Sequence, residues 1–461
     1  MKEYDIIVIG AGAGTKLVTP PSLIGKKVAV FEKETPGGTC LNRGCIPSKM
    51  LIYPTEYLWA SSEVEKFPIQ VQNKPIPDFT KISQRISSTV DADSASIPVA
   101  YHKNPNIDYY PHTAKFLNDK TIEANGEKFT AKHIFITVGS RPHIPNIEGL
   151  HETPYWTSRE ALRETKLPKS MIVIGAGFIG LEIGAAYQAY GCKVEGFTRT
   201  EILRGIDGEM RKEFEAHTPF PIHSHFTITK VKFENEQFEL TGIKSDGSPF
   251  IAKAEKILVT TGIQPNTDDL GIEHTSILRN QKGFILVDEF LETNTKGVYA
   301  FGDVIGKYFF RHSANFEGEY LFETIFLNDK KTPIRYPSIP SAIFTHPQMA
   351  SVGATEEELQ SKGVAYYKGV NRYSSSAMGM ARLSSVGFVK VLVDKKSETI
   401  LGAHIIGDEA SSLLQLLVLA IDQSITLDNL LRMVFIHPAL PEVVRNALRK
   451  VKESKKLEKN N

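Results

Sequence analysis

Two cysteines five residues apart carry the clearest chemical signal in this sequence. Residues 37–49 read GGTCLNRGCIPSK and contain Cys40 and Cys45, two of the three cysteines among 461 residues. A disulfide needs Cα atoms within about 7 Å, which a regular helix does not give at this spacing, so we expect an irregular helix start here. Helix starts also lower thiol pKa values. We therefore predict a redox-active pair, since two inert buried thiols would leave the flanking glycines and the Pro-Ser-Lys tail unexplained.

A histidine and a glutamate near the C-terminus could move a proton. The segment IHPALPEVV contains His437 and Glu442. Thiol–disulfide exchange releases a thiolate, and a histidine oriented by a carboxylate is suited to protonate it near neutral pH. Taken alone, a His-Pro pair is more often a structural turn. We expect His312 and His346, which lie in other segments, to be packing or interface residues.

The elements that must position these groups begin with a nucleotide-binding pattern. An apolar run, 5–9, leads into Gly10 and Gly12, and a second strand, 27–31, is followed by Glu32. A strand, a glycine turn and an acid after the next strand are typical of a dinucleotide site, where the acid accepts hydrogen bonds from ribose hydroxyls.

This first pattern departs from the usual fingerprint. Thr15 stands where a third glycine is expected, and Pro20 and Pro21 stand where the helix should continue. Because proline removes a helix bond and clashes with the preceding turn, we expect a short or displaced helix. Gly14 still allows close approach to a pyrophosphate, so the site is retained.

The same pattern occurs a second time. The strand 171–174 is followed by the residues Gly175, Gly177, Phe178 and Gly180. One such fingerprint is weak evidence, but two, each between an apolar strand and a possible helix, indicate two dinucleotide sites on one chain.

The second site favours a phosphorylated nucleotide. Its second strand, 193–197, leads into Thr198 and Arg199, and Arg204 follows. A missing ribose-binding acid together with arginines favours the 2′-phosphate of NADPH over NADH, although NADH remains possible. The alternative is that both arginines are solvated loop charges.

Three further segments look like strands that end at a site. Residues 136–142 and 259–266 each end in a glycine turn, at Gly139 and Gly262, and residues 296–306 deliver Asp303 beyond a strand end. In open parallel sheets, ligands bind at the carboxyl ends of the strands.

The bulk composition excludes several classes of protein. The chain has 54 basic and 53 acidic residues, so no basic field suggests nucleic acid. No run of about 18 apolar residues suggests a membrane span, and the N-terminus does not resemble a secretory signal. We expect a cytoplasmic protein, where a persistent disulfide is more often catalytic than structural.

These patterns predict an α/β fold with two doubly wound dinucleotide-binding domains and a C-terminal α+β domain. We expect the first dinucleotide domain to comprise 1–150 and 267–335, the second to comprise 151–266, and the α+β domain to comprise 336–461. The charged end, 452–461, is expected to fray.

The motif GGTCLNRGCIPSK resembles the active-site signature of the class I pyridine nucleotide-disulfide oxidoreductases, the flavoprotein disulfide reductases. The similarity extends over both fingerprints, the GDV segment and the C-terminal region. It implies FAD in the first site, a nicotinamide nucleotide in the second, and a homodimer in which His437 and Glu442 complete the partner's active site.

The resemblance also assigns roles to single residues. It implies that Cys45 faces the flavin, that Cys40 attacks the substrate, and that Lys49 lies near the flavin ring, paired with Glu182. Phe178 would cover the nicotinamide pocket, and Asp303 would hold the ribityl chain. Other cofactor-binding positions that it implies are Gly38, Thr39 and Ala114.

Within the family, the chain is most similar to mycothione reductase, through GCIPSKM, the shortened first fingerprint and IHPALPEVV. We expect an enzyme that passes reducing equivalents from NADPH to a low-molecular-weight disulfide, as mycothione and glutathione reductases do. Dihydrolipoamide dehydrogenase is the alternative. Its usual second histidine is absent here, where Phe435 and Ile436 precede His437.

Two other activities fit less well. A mercuric reductase would need a C-terminal cysteine pair, and no cysteine follows His437. A non-catalytic flavoprotein should have lost the cysteines or the His–Glu pair. Cys192, the third cysteine, is expected to be a small buried residue.

Overall fold

The first sheet forms around a strand whose second half is fully buried. In the computed structural model, which describes residues 1–460, Ile6, Ile7 and Val8 have no exposed surface. Their strand pairs in parallel with a strand on each side, so that Ile9 lies beside both Phe31 and Ile136 where the strands end. The strands of this part are β1 (Lys2–Ile9), β2 (Val28–Phe31), β3 (Ile107–Tyr110), β4 (Lys115–Asn118), β5 (Thr121–Ala124), β6 (Glu127–Ile136) and β7 (Ser140–Pro142).

The segment after the first glycine turn is short and irregular, as the sequence predicted. A 3₁₀ turn covers Ala13–Leu17, and a five-residue helix carries both prolines in its first turn. Proline is tolerated there because the N–H groups at a helix start have no partner within the helix. The helices of this part are α1 (Thr19–Leu23), α2 (Gly38–Arg43), α3 (Cys45–Glu63) and α4 (Phe79–His102).

A second sheet repeats this plan. Four parallel strands follow the order β10-β9-β8-β14, and a three-stranded antiparallel sheet, β11-β12-β13, packs on one face. The strands of these two sheets are β8 (Ser170–Ile174), β9 (Lys193–Phe197), β10 (Ile222–His223), β11 (Thr227–Glu234), β12 (Gln237–Ile243), β13 (Pro249–Ala254) and β14 (Lys256–Val259). The next strand, β15 (Ile263–Pro265), pairs with β7 in a separate antiparallel ribbon. The helices are α5 (Ser158–Ala161), α6 (Phe178–Ala189) and α7 (Gly208–Ala216).

In both units, helices cover one face of the parallel sheet, while strands and loops cover the other. Residues of α6 pack on Met171 and Val173, and the antiparallel sheet packs on Ile172 and Ile174 of the same strand. Side chains alternate between the two faces of a strand, so all four of these residues are buried although they point in opposite directions.

The chain then returns to the first sheet. Strand β16 (Val298–Ala300) pairs in parallel with β6, with Ala300 beside Ile136, and the next turn carries Asp303. Helix α8 (Arg311–Phe322) follows and contacts the 3₁₀ turn behind the first glycine loop.

The C-terminal part is an antiparallel sheet covered by helices. Five strands follow the order β17-β18-β21-β20-β19, and α11 and α13 pack on them around a core that includes Val391, Ile405, Leu417 and Val444. The strands are β17 (Ser341–Ile343), β18 (Met349–Gly353), β19 (Tyr366–Arg372), β20 (Phe388–Asp394) and β21 (Ile400–Ile406). The helices are α9 (Glu356–Ser361), α10 (Ala377–Ala381), α11 (Ala410–Asp422), α12 (Leu427–Leu431) and α13 (Pro441–Asn460).

The expectation of a frayed charged end is wrong for the described residues. Helix α13 continues to Asn460, and Lys452 and Lys455 form ion pairs with Asp428 and Glu398. Asn461 lies outside the described residues.

Candidate active site

The two cysteines lie at a break between two helices. Cys40 is in α2, Gly44 interrupts the helical path with φ −143° and ψ −112°, and Cys45 is the first residue of α3. A Cβ on Gly44 would lie only 2.9 Å from the carbonyl oxygen of Thr39, so glycine allows the tight turn. Both thiols are free, and both line the same cleft. The predicted irregular helix start is confirmed.

The surroundings shift the pKa values of the two thiols in opposite directions. The hydrogen bond with Cys40 lowers the pKa of Cys45 to about 7 against the opposing effect of burial, and the charges of Lys49 and Arg311 lower it further. The same hydrogen bond, together with burial, raises the pKa of Cys40. Cys45 is therefore the thiol of the pair that ionises near neutral pH, and Cys40 needs a base before it can act as a nucleophile.

Arg311 was not among the residues that the sequence singled out. It is the first residue of α8, it lines the same cleft as both cysteines, and its charge acts on both. The segment RHSANFEG attracted attention only through His312, which stacks on Phe310 and bonds to the carbonyl oxygen of Pro340. An arginine beside two distant cysteines leaves no spacing signal in a sequence.

Lys49 is held by contacts from two other parts of the molecule. Its ammonium donates to Glu182 Oε2 at 2.6 Å and lies 4.4 Å from the centroid of the Phe344 ring. Glu182 is 8% exposed, and its other oxygen accepts the N–H of Phe344 at 2.9 Å. The Lys49–Glu182 pair expected from the family resemblance is thus present, with a third group from the C-terminal part attached to it.

The two glycine loops are built on the same contacts, which corrects the interpretation of Thr15. A Cβ on Gly14 would overlap Thr137 Oγ1 and lie 2.7 Å from Val8 Cγ1, and a Cβ on Gly180 would meet Thr260 Oγ1 and Val173 Cγ1 in the same way. Gly14 therefore takes the place of the third glycine, and the first loop is simply one residue shorter than the second.

Each loop is also secured by a threonine. Thr137 donates to the carbonyl oxygens of residues 9 and 10, and Thr260 donates to those of residues 174 and 175. Gly139 and Gly262 follow two residues later, with φ of +65° and +116°. The sequence contains this signal as the repeated Thr-x-Gly in residues 137–139 and 260–262, which could have been found by aligning the two segments.

A long cleft runs along the carboxyl ends of the first sheet. It has a cavity volume of about 330 Å³ and reaches from Glu32 past the first glycine loop to both cysteines. The predicted site residues that line it are Gly10, Gly12, Glu32, Gly38, Thr39, Cys40, Cys45, Ala114, Gly139 and Asp303. Gly14 lies beneath the loop, against Val8 and Thr137.

The cleft suits FAD. Glu32 lies at one end and accepts the N–H groups of Ala11 and Glu34, and Asp303 lies further along and accepts a hydrogen bond from Ser140 at 2.6 Å. Between them, the backbones of Gly12 and Gly38 approach so closely that a Cβ on Gly38 would be 2.7 Å from Gly12 Cα. FAD has two polyhydroxyl groups, a ribose and a ribityl chain, joined by a pyrophosphate. The two carboxylates are placed to bind the hydroxyls, and the glycine backbone between them leaves room for the pyrophosphate. Burial raises the pKa of both carboxyls.

The second nucleotide-binding unit carries no acid at the corresponding position. Its loop begins as the first does, with the N–H of Gly175 bonded to the carbonyl oxygen of Phe197 at 2.8 Å. The next residue is Thr198. Arg199 and Arg204 are exposed, and within residues 1–460 the structure gives neither of them an ion-pair partner.

The first residue of α6, Phe178, lies half-buried beside Gly177. Its ring centroid is 6.2 Å from that of Phe310, which lines the cleft with Ile179. The structure thus brings the second unit against the first cleft at this ring.

His437 and Glu442 form the expected pair. Nδ1 of His437 lies 3.0 Å from both carboxylate oxygens of Glu442, and Arg445 also donates to this carboxylate. The side chain of Glu442 is 2% exposed, whereas that of His437 is 67% exposed. The hydrogen bond from His437 lowers the pKa of Glu442. The glutamate fixes the ring, and the ring faces outward.

Cys192 and His346, which the sequence also singled out, pack against other parts of the molecule. Cys192 is 1% exposed, which confirms the prediction of a small buried residue, and burial raises its pKa to about 12. His346 stacks on Trp59, with Glu63 Oε1 at 3.8 Å. In residues 1–460, no helix is long and apolar enough to cross a membrane, and no cluster of metal-binding side chains is present.

Comparison with known proteins identifies the class. Residues 4–318 match the pyridine nucleotide-disulphide oxidoreductase family, and residues 339–448 match its dimerisation domain. The chain therefore belongs to the pyridine nucleotide-disulphide oxidoreductase family, which confirms the predicted family, fold class and enzymatic nature. Membership implies FAD and a nicotinamide nucleotide as cofactors, and the second match supports a homodimer.

Individual relatives are similar over nearly the whole chain. Mycothione reductase of Mycobacterium tuberculosis is 32% identical, with 97% of this chain and 99% of the relative covered. Dihydrolipoyl dehydrogenase of Bacillus subtilis is 30% identical, with 96% of each covered. Among solved structures, the HOCl-induced flavoprotein disulfide reductase RclA of Escherichia coli, in its Cu(II) complex, has a TM-score of 0.87 at 23% identity and covers 97% of this chain and 99% of its own, a likeness of fold.

Proposed function

We propose that this protein is an NADPH-dependent reductase of a low-molecular-weight disulfide, of the kind represented by mycothione and glutathione reductases. The observation that carries the proposal is the difference between the two nucleotide-binding units. Glu32 directly follows the second strand of the first unit, whereas Thr198 and then Arg199 follow that of the second. A carboxylate favours a free ribose hydroxyl, whereas a neutral side chain with arginines favours a 2′-phosphate.

In this proposal the cleft of the first unit holds FAD, and the second unit holds NADPH. Glu32 and Asp303 bind the ribose and ribityl hydroxyls, and the backbones of Gly12, Gly38 and Thr39 face the pyrophosphate. Bound FAD supplies the transfer of two electrons from NADPH to the Cys40–Cys45 disulfide. Phe178 excludes water from the nicotinamide pocket until the nucleotide enters.

The thiol chemistry belongs to the chain's own residues. Cys40 attacks one sulfur of the substrate disulfide, and its S–H proton passes to His437 of the partner subunit. The substrate's S–S bond breaks, and the departing thiolate takes this proton. Cys45, already a thiolate near neutral pH, then attacks the Cys40 sulfur of the mixed disulfide. The second substrate sulfur leaves as a thiolate, which takes up a proton from the solvent, and the Cys40–Cys45 bond forms again.

The opposite pKa shifts of the two thiols support this order of attack, in which Cys40 reacts first and Cys45 second. Cys45 is held as a thiolate by Cys40, Lys49 and Arg311, so it needs no base. Cys40 has a raised pKa and does need one. His437 is exposed and oriented by Glu442, so in a homodimer it is available to the opposite subunit.

We further propose that the chain divides at the predicted boundaries into 1–150 with 267–335, 151–266 and 336–461. The return of β16 to the first sheet supports the assignment of 267–335.

We also propose a cytoplasmic location, because the two cysteines at the site and the buried third cysteine are all free thiols. Fractionation of the source cells would test this location.

The deciding experiment is steady-state turnover of the FAD-loaded protein with NADPH or NADH against glutathione disulfide, mycothiol disulfide and lipoamide. We expect NADPH-dependent reduction of a small disulfide, and a Cys40→Ser control should bind FAD but give no turnover. Activity confined to NADH and lipoamide would instead establish a dihydrolipoamide dehydrogenase and overturn the proposal.

A further inference from the structure

A fully buried lysine lies between the second nucleotide-binding unit and the C-terminal sheet. Lys390, on β20, has 0% side-chain exposure. Its ammonium lies 2.9 and 3.1 Å from the two oxygens of Asp207, 2.5 Å from Glu356 Oε2 and 3.0 Å from Glu209 Oε2. A buried ammonium is unfavourable unless it is paired this completely, so the arrangement fixes all four groups.

The cluster joins two parts of the chain that are far apart in sequence. Asp207 precedes α7 and accepts the N–H groups of Glu209 and Met210, whereas Glu356 begins α9 and donates its own N–H to Asp207 at 3.3 Å. His404 lies 3.9 Å from Asp207, with its ring nitrogens bonded to Ser351 Oγ and to the carbonyl oxygen of Ala354. Asp207 is thus fixed to the C-terminal part from several directions.

Asp207 also ends the segment that carries the two arginines of the nucleotide site. Residues 198–207 connect β9 to α7, and Arg204 lies three residues before Asp207. At its start the segment continues from β9, and in the middle Leu203, with φ +49°, donates its N–H to the carbonyl oxygen of Ala176 in the glycine loop. The C-terminal end of the segment is held in place by the contacts of Asp207, which include the ion pair with Lys390.

We propose that Lys390 is a positioning residue for nucleotide specificity. Through Asp207 it holds residues 198–207 in the conformation in which Arg199 and Arg204 receive a 2′-phosphate. The inference rests on the proposed preference for NADPH and extends it, because a residue outside the nucleotide-binding unit then contributes to the choice of nucleotide.

The test must separate positioning from general stability. Lys390→Met alone would leave Asp207 buried and unpaired, so the informative protein is the double variant Asp207→Asn/Lys390→Met, which removes both charges. A purely structural role would affect every nucleotide alike. A positioning role affects only ligands that carry the 2′-phosphate.

We would measure binding of 2′-phospho-ADP-ribose and of ADP-ribose to the FAD-loaded protein by calorimetry, and kcat/KM with NADPH and NADH. In the double variant we expect the preference for the phosphorylated ligand to fall about tenfold, with ADP-ribose binding unchanged. Lys368→Met is the matched control, since Lys368 pairs with Glu209 and Glu356 in the same cluster. It should leave the preference unchanged.

An unchanged preference in the double variant, or an equal loss for both ligands, would overturn the role of Lys390. A wild-type protein that binds both ligands equally or prefers NADH would instead overturn the proposed cofactor, whatever the variant does. The two failures are therefore distinguishable.

Discussion

Glu32 and Thr198 occupy the same position in the two nucleotide-binding units. Each follows a strand whose last residue, Phe31 or Phe197, pairs with the last residue of the central strand and accepts the N–H of the first loop glycine at 2.8 Å. Glu32 accepts the N–H of Ala11, whereas Thr198 offers a short neutral hydroxyl. The two units share the same arrangement of strands and glycine loop, and they differ in charge at this position and at the residues after it.

This relationship predicts how nucleotide choice can be changed. Arg199→Gln should lower kcat/KM for NADPH about tenfold through loss of a charge-assisted hydrogen bond, with little effect on NADH. Steady-state kinetics with both nucleotides would measure the change. Lys193→Gln, which removes an exposed charge at the other end of the same strand, is the control and should alter neither value. Equal losses with both nucleotides would argue against a 2′-phosphate contact.

The pKa of Cys45 can be followed by its reaction with iodoacetamide. In the reduced protein, alkylation of Cys45 should rise with pH around a midpoint of about 7, because only the thiolate reacts. Arg311→Met removes a nearby positive charge, which raises the pKa and moves the curve to higher pH. Cys40→Ala removes the hydrogen bond that has the largest effect and should move it further. Site-resolved mass spectrometry would show which cysteine is modified. Coincident curves for all three proteins would contradict this assignment of charges.

Replacing His437, the proposed proton carrier, should slow the thiol–disulfide step and leave flavin reduction unchanged. His437→Gln should lower disulfide turnover about a hundredfold, a usual contribution of general acid–base catalysis, while reduction of bound flavin by NADPH in stopped-flow measurements stays at the wild-type rate. Glu442→Gln should give a smaller loss, since it removes only the group that orients the ring. If both half-reactions slowed together, the pair would have a structural role.

The first glycine loop should tolerate no side chain at Gly14. Gly14→Ala places a methyl group against Thr137 and Val8, and such overpacking destabilises a protein by about 1–3 kcal/mol. We expect a lower FAD content and a lower free energy of unfolding in urea. Gly177→Ala is the control, because Gly177 has φ −91° and no atom lies within 4 Å of the position that a methyl group would take there. A Gly14→Ala protein with normal FAD content would show that the loop can shift.

The buried cluster around Lys390 should make stability depend on pH in acid. Burial would raise the pKa of Glu356, but its hydrogen bonds from Lys390 and Lys368 lower it to about 2, from an ordinary value of 4.5. A depressed carboxyl pKa contributes stability above the unfolded value, and that contribution is lost as pH falls from about 4.5 towards 2. In Glu356→Gln, urea unfolding should give a lower free energy at neutral pH and a flatter slope over this range. The exposed Glu215→Gln should retain the wild-type slope.

Local signals in the sequence predicted much of the architecture. Both glycine loops, the helix break at Gly44, the short helix with Pro20 and Pro21, and the turn carrying Asp303 each depend on neighbouring residues, so spacing alone is informative. A fingerprint of fixed length places the third glycine at residue 15, which is wrong. Only the contacts of Gly14 with Val8 and Thr137 show that the loop is one residue shorter.

Contacts between distant segments are less accessible from the sequence. Lys49 and Glu182 are 133 residues apart and are paired only through the family resemblance, and nothing in the sequence points to Phe344 or Arg311. The cluster of Lys390 with Asp207 gives no signal because its members look like ordinary surface charges in the sequence. Their burial follows from packing between α7 and the C-terminal sheet.

Glu182 belongs to the second unit, yet its carboxylate receives one hydrogen bond from α3 and another from the backbone beyond β17. A chimaera that exchanged residues 151–266 for those of a relative would therefore have to keep a carboxylate at the position of Glu182 in α6. Without it, the lysine beside the cysteines would lose its counter-charge, and the backbone N–H of Phe344 would lose its acceptor. The second unit is, in this respect, not an interchangeable module.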